Sequence, residues 1–271
     1  MSSFDTGMRT ARNAFPPLVV PLIAVLLAGC APTADADARA AEPPGPTVTA
    51  APTVTADPLA QPPPPPVGYP ATGDNTWDIA PGEPGSGRRG AGQLLRYQVA
   101  MERGIRGIPL VEFADQVTEA LAHPQGWTAG GQWQLRRVGP GRRPDFTVYL
   151  ATPVTRDVLC QDTPDGYTSC RNGDRVVLNV ARWVKGAPGF GKDIDRYRQY
   201  VVNHEVGHRL GMGHELCPGR GRPAPVMQQQ TLGLHGCTAN GLPYVDGRRH
   251  SGPPGAYDDR IPPRDRGMPS D

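Results

Sequence analysis

The chain has 271 residues, among them 34 Gly and 33 Pro, and a formal net charge of +2. That length allows one large domain or two small ones, but the prolines cluster toward the N-terminal third, so the part able to fold is shorter than the whole. A nearly neutral chain without a concentrated basic face argues against a nucleic-acid partner.

In chain order, Arg9 and Arg12 precede the apolar run PLVVPLIAVLLAG, which is short for a bilayer span and is broken by Pro21. It reads as a secretory signal over residues 1–29. Its end, Leu27-Ala28-Gly29-Cys30, resembles the lipobox of bacterial lipoproteins, which implies a lipid-modified Cys30 as the first mature residue. More than one acyl chain there would anchor stably to the outer face of the cell membrane. Residues 30–90 are Ala, Pro, Thr, Gly and acidic residues, with PTVTA twice and a run QPPPPP. Such a stretch offers too little apolar surface to offset the entropy of ordering, and it is expected to be an extended tether.

A domain is expected over 91–250. LRYQVAME alternates apolar and polar residues like a strand, and IPLVEFADQVTEALAHP has helical spacing between Pro109 and Pro124. QWQLRRV, DFTVYLAT and RVVLNVARWV then read as strands separated by Gly, Pro and Asp turns. The stretch 153–173 has no decisive strand or loop pattern. In KDIDRYRQYVVNHEVGHRLGMGH, Ile194, Tyr197, Val201, His204 and His208 repeat every three or four residues, so the buried stripe of this helix runs into two histidines. The expected class is α+β, a twisted mixed sheet with a backing helix and an active-site helix above an irregular C-terminal part. The tail, 251–271, is rich in Pro, Gly, Arg and Asp and reads as unfolded.

Beyond Cys30 there are four cysteines, and in an exported chain an even number points to disulfides. Three pairings are possible. The favoured one joins Cys160 with Cys170, across the turn-rich QDTPDGYTS, and Cys217 with Cys237.

HEVGHRLGMGH, residues 204–214, holds three of the six histidines. Two histidines at i and i+4 can reach one ion at about 2.0 Å, the distance zinc requires. Glu205 lies to the side of that face, and Gly211 is placed to end the helix and bring His214 back as a third ligand. This is the HExxHxxGxxH pattern of the metzincins. From about residue 93 to 245 the chain resembles a metzincin-like zinc metallopeptidase domain. It is similar to a poorly characterised group of secreted bacterial proteins carrying NHEVGH, GMGHE, CPG and APVMQQQT. The resemblance implies that His204, His208 and His214 bind Zn2+, that Glu205 is the general base, and that Met227 is the methionine of a turn beneath the metal. It also implies a protein or peptide substrate lying extended along an edge strand.

Some metzincins place a tyrosine two residues beyond that methionine as a further ligand; here the position is Gln229, and Tyr244 is a weaker substitute. A thiolate from Cys217 would close the metal site and make it structural. Glu215, directly after the third histidine, is expected to be solvated, the alternative being a structural ion pair. The expected activity is hydrolysis of peptide bonds by a zinc metalloendopeptidase, acting as a monomer at the cell surface. The alternatives are an inactive metal-bound binding lipoprotein and a zinc amidase acting on cell-wall peptides.

Overall fold

The computed structural model describes residues 65–84 and 92–269. The predicted signal, Cys30 and the tether up to residue 64 lie outside them. The elements are β1 (Tyr69–Pro70), β2 (Trp77–Ile79), β3 (Gln93–Glu102), α1 (Leu110–Ala122), β4 (Trp133–Arg137), β5 (Phe146–Ala151) and α2 (Pro153–Cys160). They continue with β6 (Cys170–Asn172), β7 (Arg175–Asn179), α3 (Val180–Lys185), α4 (Ile194–Arg209), β8 (Tyr244–Val245), β9 (Arg248–Arg249) and β10 (Gly267–Met268). The class is α+β, built on one mixed sheet.

The sheet order is β2-β3-β5-β7-β6, with β4 also on β3. β3 pairs in parallel with β4 and β5, and β5 with β7; β2 and β6 are antiparallel to their neighbours. Alternation along the strands sorts side chains onto two faces. Phe146, Val148, Leu150, Val176 and Leu178 join the main core, whereas Ala151 and Val177 join a smaller cluster with Leu159, Cys160 and Cys170. The main core is closed by α1, which buries Phe113, Ala114, Val117, Ala120 and Leu121 and packs on β3 and α4. Emptying a position such as Phe113 to alanine costs about 3–5 kcal/mol. The smaller cluster is covered by α2.

Local signals set the boundaries. α1 starts at Pro109 and stops at His123, whose ψ of 139° follows from the proline after it. The predicted strand RVVLNVARWV divides in two, because the Asn179 side chain accepts a hydrogen bond from Ala181 N at 3.0 Å and so caps a helix. β7 ends there and α3 begins. The stretch 153–173 becomes α2, with proline in its first turn, a loop, and β6.

Two boundaries differ from the sequence reading. The expected tether overlaps the fold, because residues 65–84 supply β2, which extends the sheet along β3, and bury Ala80. The expected unfolded tail is also part of the fold, since β10 pairs with β1. Composition averages over a window and misses both cases, where backbone pairing supplies the partner that few apolar side chains could.

Glu102 joins these parts. Its carboxylate is fully buried and accepts hydrogen bonds from Asn75 N (2.9 Å), Thr152 N (2.7 Å) and Thr155 Oγ1 (2.6 Å). The loop before β2 and the start of α2 therefore hang on one side chain at the end of β3. Glu102→Gln would set an amide against one of these donors, and a loss of about 1–3 kcal/mol is expected. Thermal unfolding should show it as a midpoint several degrees lower; an unchanged midpoint would remove this role from Glu102.

Candidate metal centre

The helix α4 begins at Asp193, whose side chain accepts a hydrogen bond from Arg196 N at 3.1 Å. It buries Tyr197, Tyr200, Val201, His204 and Glu205, so the sequence stripe does face the core. It ends at Leu210, and Gly211 follows with φ +90°. Gly211 N bonds to His208 O at 3.1 Å and Met212 N to Gly207 O at 2.9 Å, which is the Schellman arrangement that glycine favours. The turn brings His214 back to the helix face.

Three imidazoles converge. His208 Nε2 lies 3.2 Å from His204 Nε2 and 3.1 Å from His214 Nε2. Ligands about 2.0–2.1 Å from a tetrahedral zinc would be separated by about 3.3 Å, close to these spacings. The ring orientations have identifiable causes. His204 Nδ1 donates to Val226 O at 2.8 Å, and His208 Nδ1 donates to Met212 O at 2.9 Å. A carbonyl only accepts, so Nδ1 carries the proton and the neutral ring presents a bare lone pair at Nε2. Lone pairs facing one another at this distance repel, and a cation between them removes the repulsion.

The electrostatics favour the neutral rings that a metal requires. Burial holds His204 well below the usual histidine range, with the charge of a neighbouring His208 adding to it and the Val226 carbonyl opposing. Burial also lowers His208. His214 is pushed down to about 4, by burial first and then by His208. Glu205 is shifted the other way, up to about 8 by burial, with the Arg156 charge opposing.

The turn under the cluster is built from Pro225 to Gln228, closed by Gln228 N to Pro225 O at 2.9 Å. Met227 within it is fully buried. A Cβ on Gly207 would overlap both Met227 Sδ and the Trp127 ring, so the glycine between the two helix histidines lets the turn come close. Tyr200 secures the same turn by donating to Gln228 O (3.0 Å) and accepting from Gln230 N (2.9 Å).

A cavity of about 630 Å³ opens over the cluster, lined by all three histidines and Glu205. Gln229 also lines it, and its Oε1 is buried without a hydrogen-bond partner. The opposite wall is the loop between α2 and β6, held by the Cys160–Cys170 disulfide. Within that wall Arg156, which lines the cavity though almost fully buried, grips both oxygens of Asp162 at 2.9 and 3.0 Å. β6 ends the sheet beside the cavity, which Cys170 and Arg171 line.

The remaining expected residues fall as follows. Cys160–Cys170 and Cys217–Cys237 are the two disulfides. Cys217 is therefore no thiolate ligand, and the grouping of Cys160 and Cys170 with Asp162 has no free thiolate either. Tyr244 sits in β8, bonds its N–H to Gln125 O and does not line the cavity. Glu215 is not solvated; it is 16% exposed and pairs with Arg249 at 3.0 Å. Cys30 lies outside the described residues. Arg156 and Tyr200 escaped the sequence reading. Thr152-Pro153 before Arg156 was a usable helix-start signal, whereas the role of Tyr200 depends on a turn 28 residues away.

Comparison with known families finds one described as "Protein of unknown function (DUF3152)", which matches residues 63–243, about two thirds of the chain. No curated protein and no solved structure matches it.

If the imidazoles share an ion, the purified protein should take up about one Zn2+ per chain. His204→Ala should abolish that uptake, and full uptake by this variant would dismiss the cluster as a site. Protons compete with metal only when a ring can take one up. With all three rings shifted below the usual value of about 6.5, affinity should stay flat as pH falls through 6.5 and drop only in more acid solution.

Proposed function

The chain belongs to the DUF3152 family, and we propose that this member is a zinc-dependent peptidase acting at the cell surface. The observation that carries the reading is three Nε2 atoms converging beside a buried carboxylate in one open cavity. A structural zinc site is closed by four protein ligands, whereas here all four cysteines among the described residues are tied up in disulfides and the cluster faces a cavity. The sheet with its two packed helices, α1 and α4, and the irregular part beyond Gly211 accord with the metzincin-like resemblance.

Zn2+, when held by His204, His208 and His214, supplies Lewis acidity toward a water and a carbonyl oxygen. The chain's own groups do the rest. Glu205 accepts a proton from the attacking water and returns it to the leaving amine, and its desolvated carboxylate is a stronger base than an exposed one. β6, at the end of the sheet, offers backbone groups with which an extended peptide can pair. The Val226 and Met212 carbonyls keep the two helix imidazoles in register. The unpartnered Gln229 Oε1 leaves an acceptor for a substrate N–H at the cavity wall. An inactive binding role gives no reason for a costly buried carboxylate at Glu205. An amidase acting on cell-wall peptides would use the same groups and differ in substrate.

Glu205→Gln should keep about one zinc per chain and lose about 10²–10⁴-fold in hydrolysis rate. Profiling of new peptide N-termini in a proteome treated with each protein reads activity and substrate together; equal profiles would show that another group is the base. Localisation rests on Leu27-Ala28-Gly29-Cys30. Mass analysis of the mature protein should find a lipid on Cys30, and an unmodified N-terminus further along would defeat the anchor. Among the described residues no helix is long and apolar enough to cross a membrane.

A further inference from the structure

The C-terminal segment reaches the wall of the cavity at Ile261. It leaves the lower side beside the third histidine, where Gly255 N bonds to His214 O at 3.0 Å and Leu216 N to Pro253 O at 2.8 Å. Tyr257 then stacks on His235 with ring centroids 3.4 Å apart and accepts from Cys217 N. Asp259 pairs with His235 at 2.8 Å. Two residues on, Ile261 lines the same cavity as the three histidines, with its apolar side chain 42% exposed. On the far side Arg264 pairs with Asp157 at 2.7 Å, and Asp265 N bonds to Gly166 O in the loop leading to β6. Asp265 also holds Lys185 at 2.7 Å, and β10 ends the segment on β1.

Both ends are thus fastened, one to the part below the histidines and the other to the wall above them. Four residues, 260–263, separate the two ion-paired side chains of Asp259 and Arg264, and the span touches the cavity at Ile261. Cys170 and Arg171 of β6 line the same cavity as Ile261. A cavity of about 630 Å³ lies in the range of about 300–1,000 Å³ that encloses a small ligand.

We propose that the segment Asp258–Asp265 is a strap that closes one end of the cleft and restricts substrates to short peptides and free chain ends. The proposal rests on the peptidase reading above. Ile261 is then the residue that a substrate's terminal side chain meets. Opening the strap turns the blind cleft into a through groove that admits the interior of a long polypeptide.

The test uses the full chain and two substrates, a capped short peptide and a denatured protein containing the same cleavable sequence far from either end. The wild type should favour the short peptide in kcat/KM by about tenfold or more. The double variant Asp259→Ala/Arg264→Ala should gain about tenfold on the protein and stay within about twofold on the peptide. Ile261→Ser, a change at an exposed side chain, should shift the same ratio if the double variant folds poorly. Hydrogen exchange gives a readout that needs no activity: the Gly255 and Asp265 amides should be protected in the wild type. Free-chain exchange there, or equal cleavage of both substrates by the wild type, would overturn the strap while leaving the peptidase standing. Hydrolysis of neither substrate by any of the proteins would take down the peptidase reading, and the strap's role with it.

Discussion

Two imidazoles one turn apart on a buried helix face, followed at once by a stop, determine everything else at this site. A helix that continued would carry His214 away around the axis. Gly211 prevents this by taking a backbone conformation that a Cβ disfavours, and the two Schellman hydrogen bonds satisfy the carbonyls that the stop exposes. The lower part of the molecule has few regular elements, yet it is tightly constrained. It must return carbonyl 226 to His204 and pass Met227 under Gly207, and Tyr200 and the Cys217–Cys237 disulfide hold it to that path.

The sheet gives each of its faces a different task. The larger core, with α1 and α4, provides the rigid backing on which the histidine-bearing helix rests. The smaller cluster, with α2, carries the opposite wall of the cavity and the arginine within it. β7 contributes to both, through Val176 and Leu178 on one side and Val177 on the other. Cavity floor and cavity wall are thereby referred to the same strand, which is why a site assembled from segments far apart in sequence keeps one geometry.

Much of this was legible in the residues, for reasons of periodicity. β3, α1, β4, β5 and α4 each carry a repeat of 2 or about 3.6 that survives without tertiary context. The histidine spacing and both disulfide pairings were legible too, because each depends on short separations. Most of what was hidden depends on long ones, and the local exception is a side-chain cap. Asn179 turns a valine-rich run into a helix through a hydrogen bond that a strand pattern does not report. Residues 65–84 and 251–269 look unfolded by composition, but their ordering comes from pairing across almost 200 residues, β1 with β10. Glu215 is of a type that is usually wet, and only Arg249 arriving from β9 makes it otherwise. The arginine and the aspartates of the cavity wall lay in the one stretch without a periodic signal.

The carbonyls that orient His204 and His208 belong to the folded backbone and not to the ion. A zinc finger collapses around its metal from an unfolded state; here the receptacle can be finished before any metal arrives. On the zinc reading proposed above, maturation would separate into two events, folding with disulfide closure first and loading of the three rings afterwards.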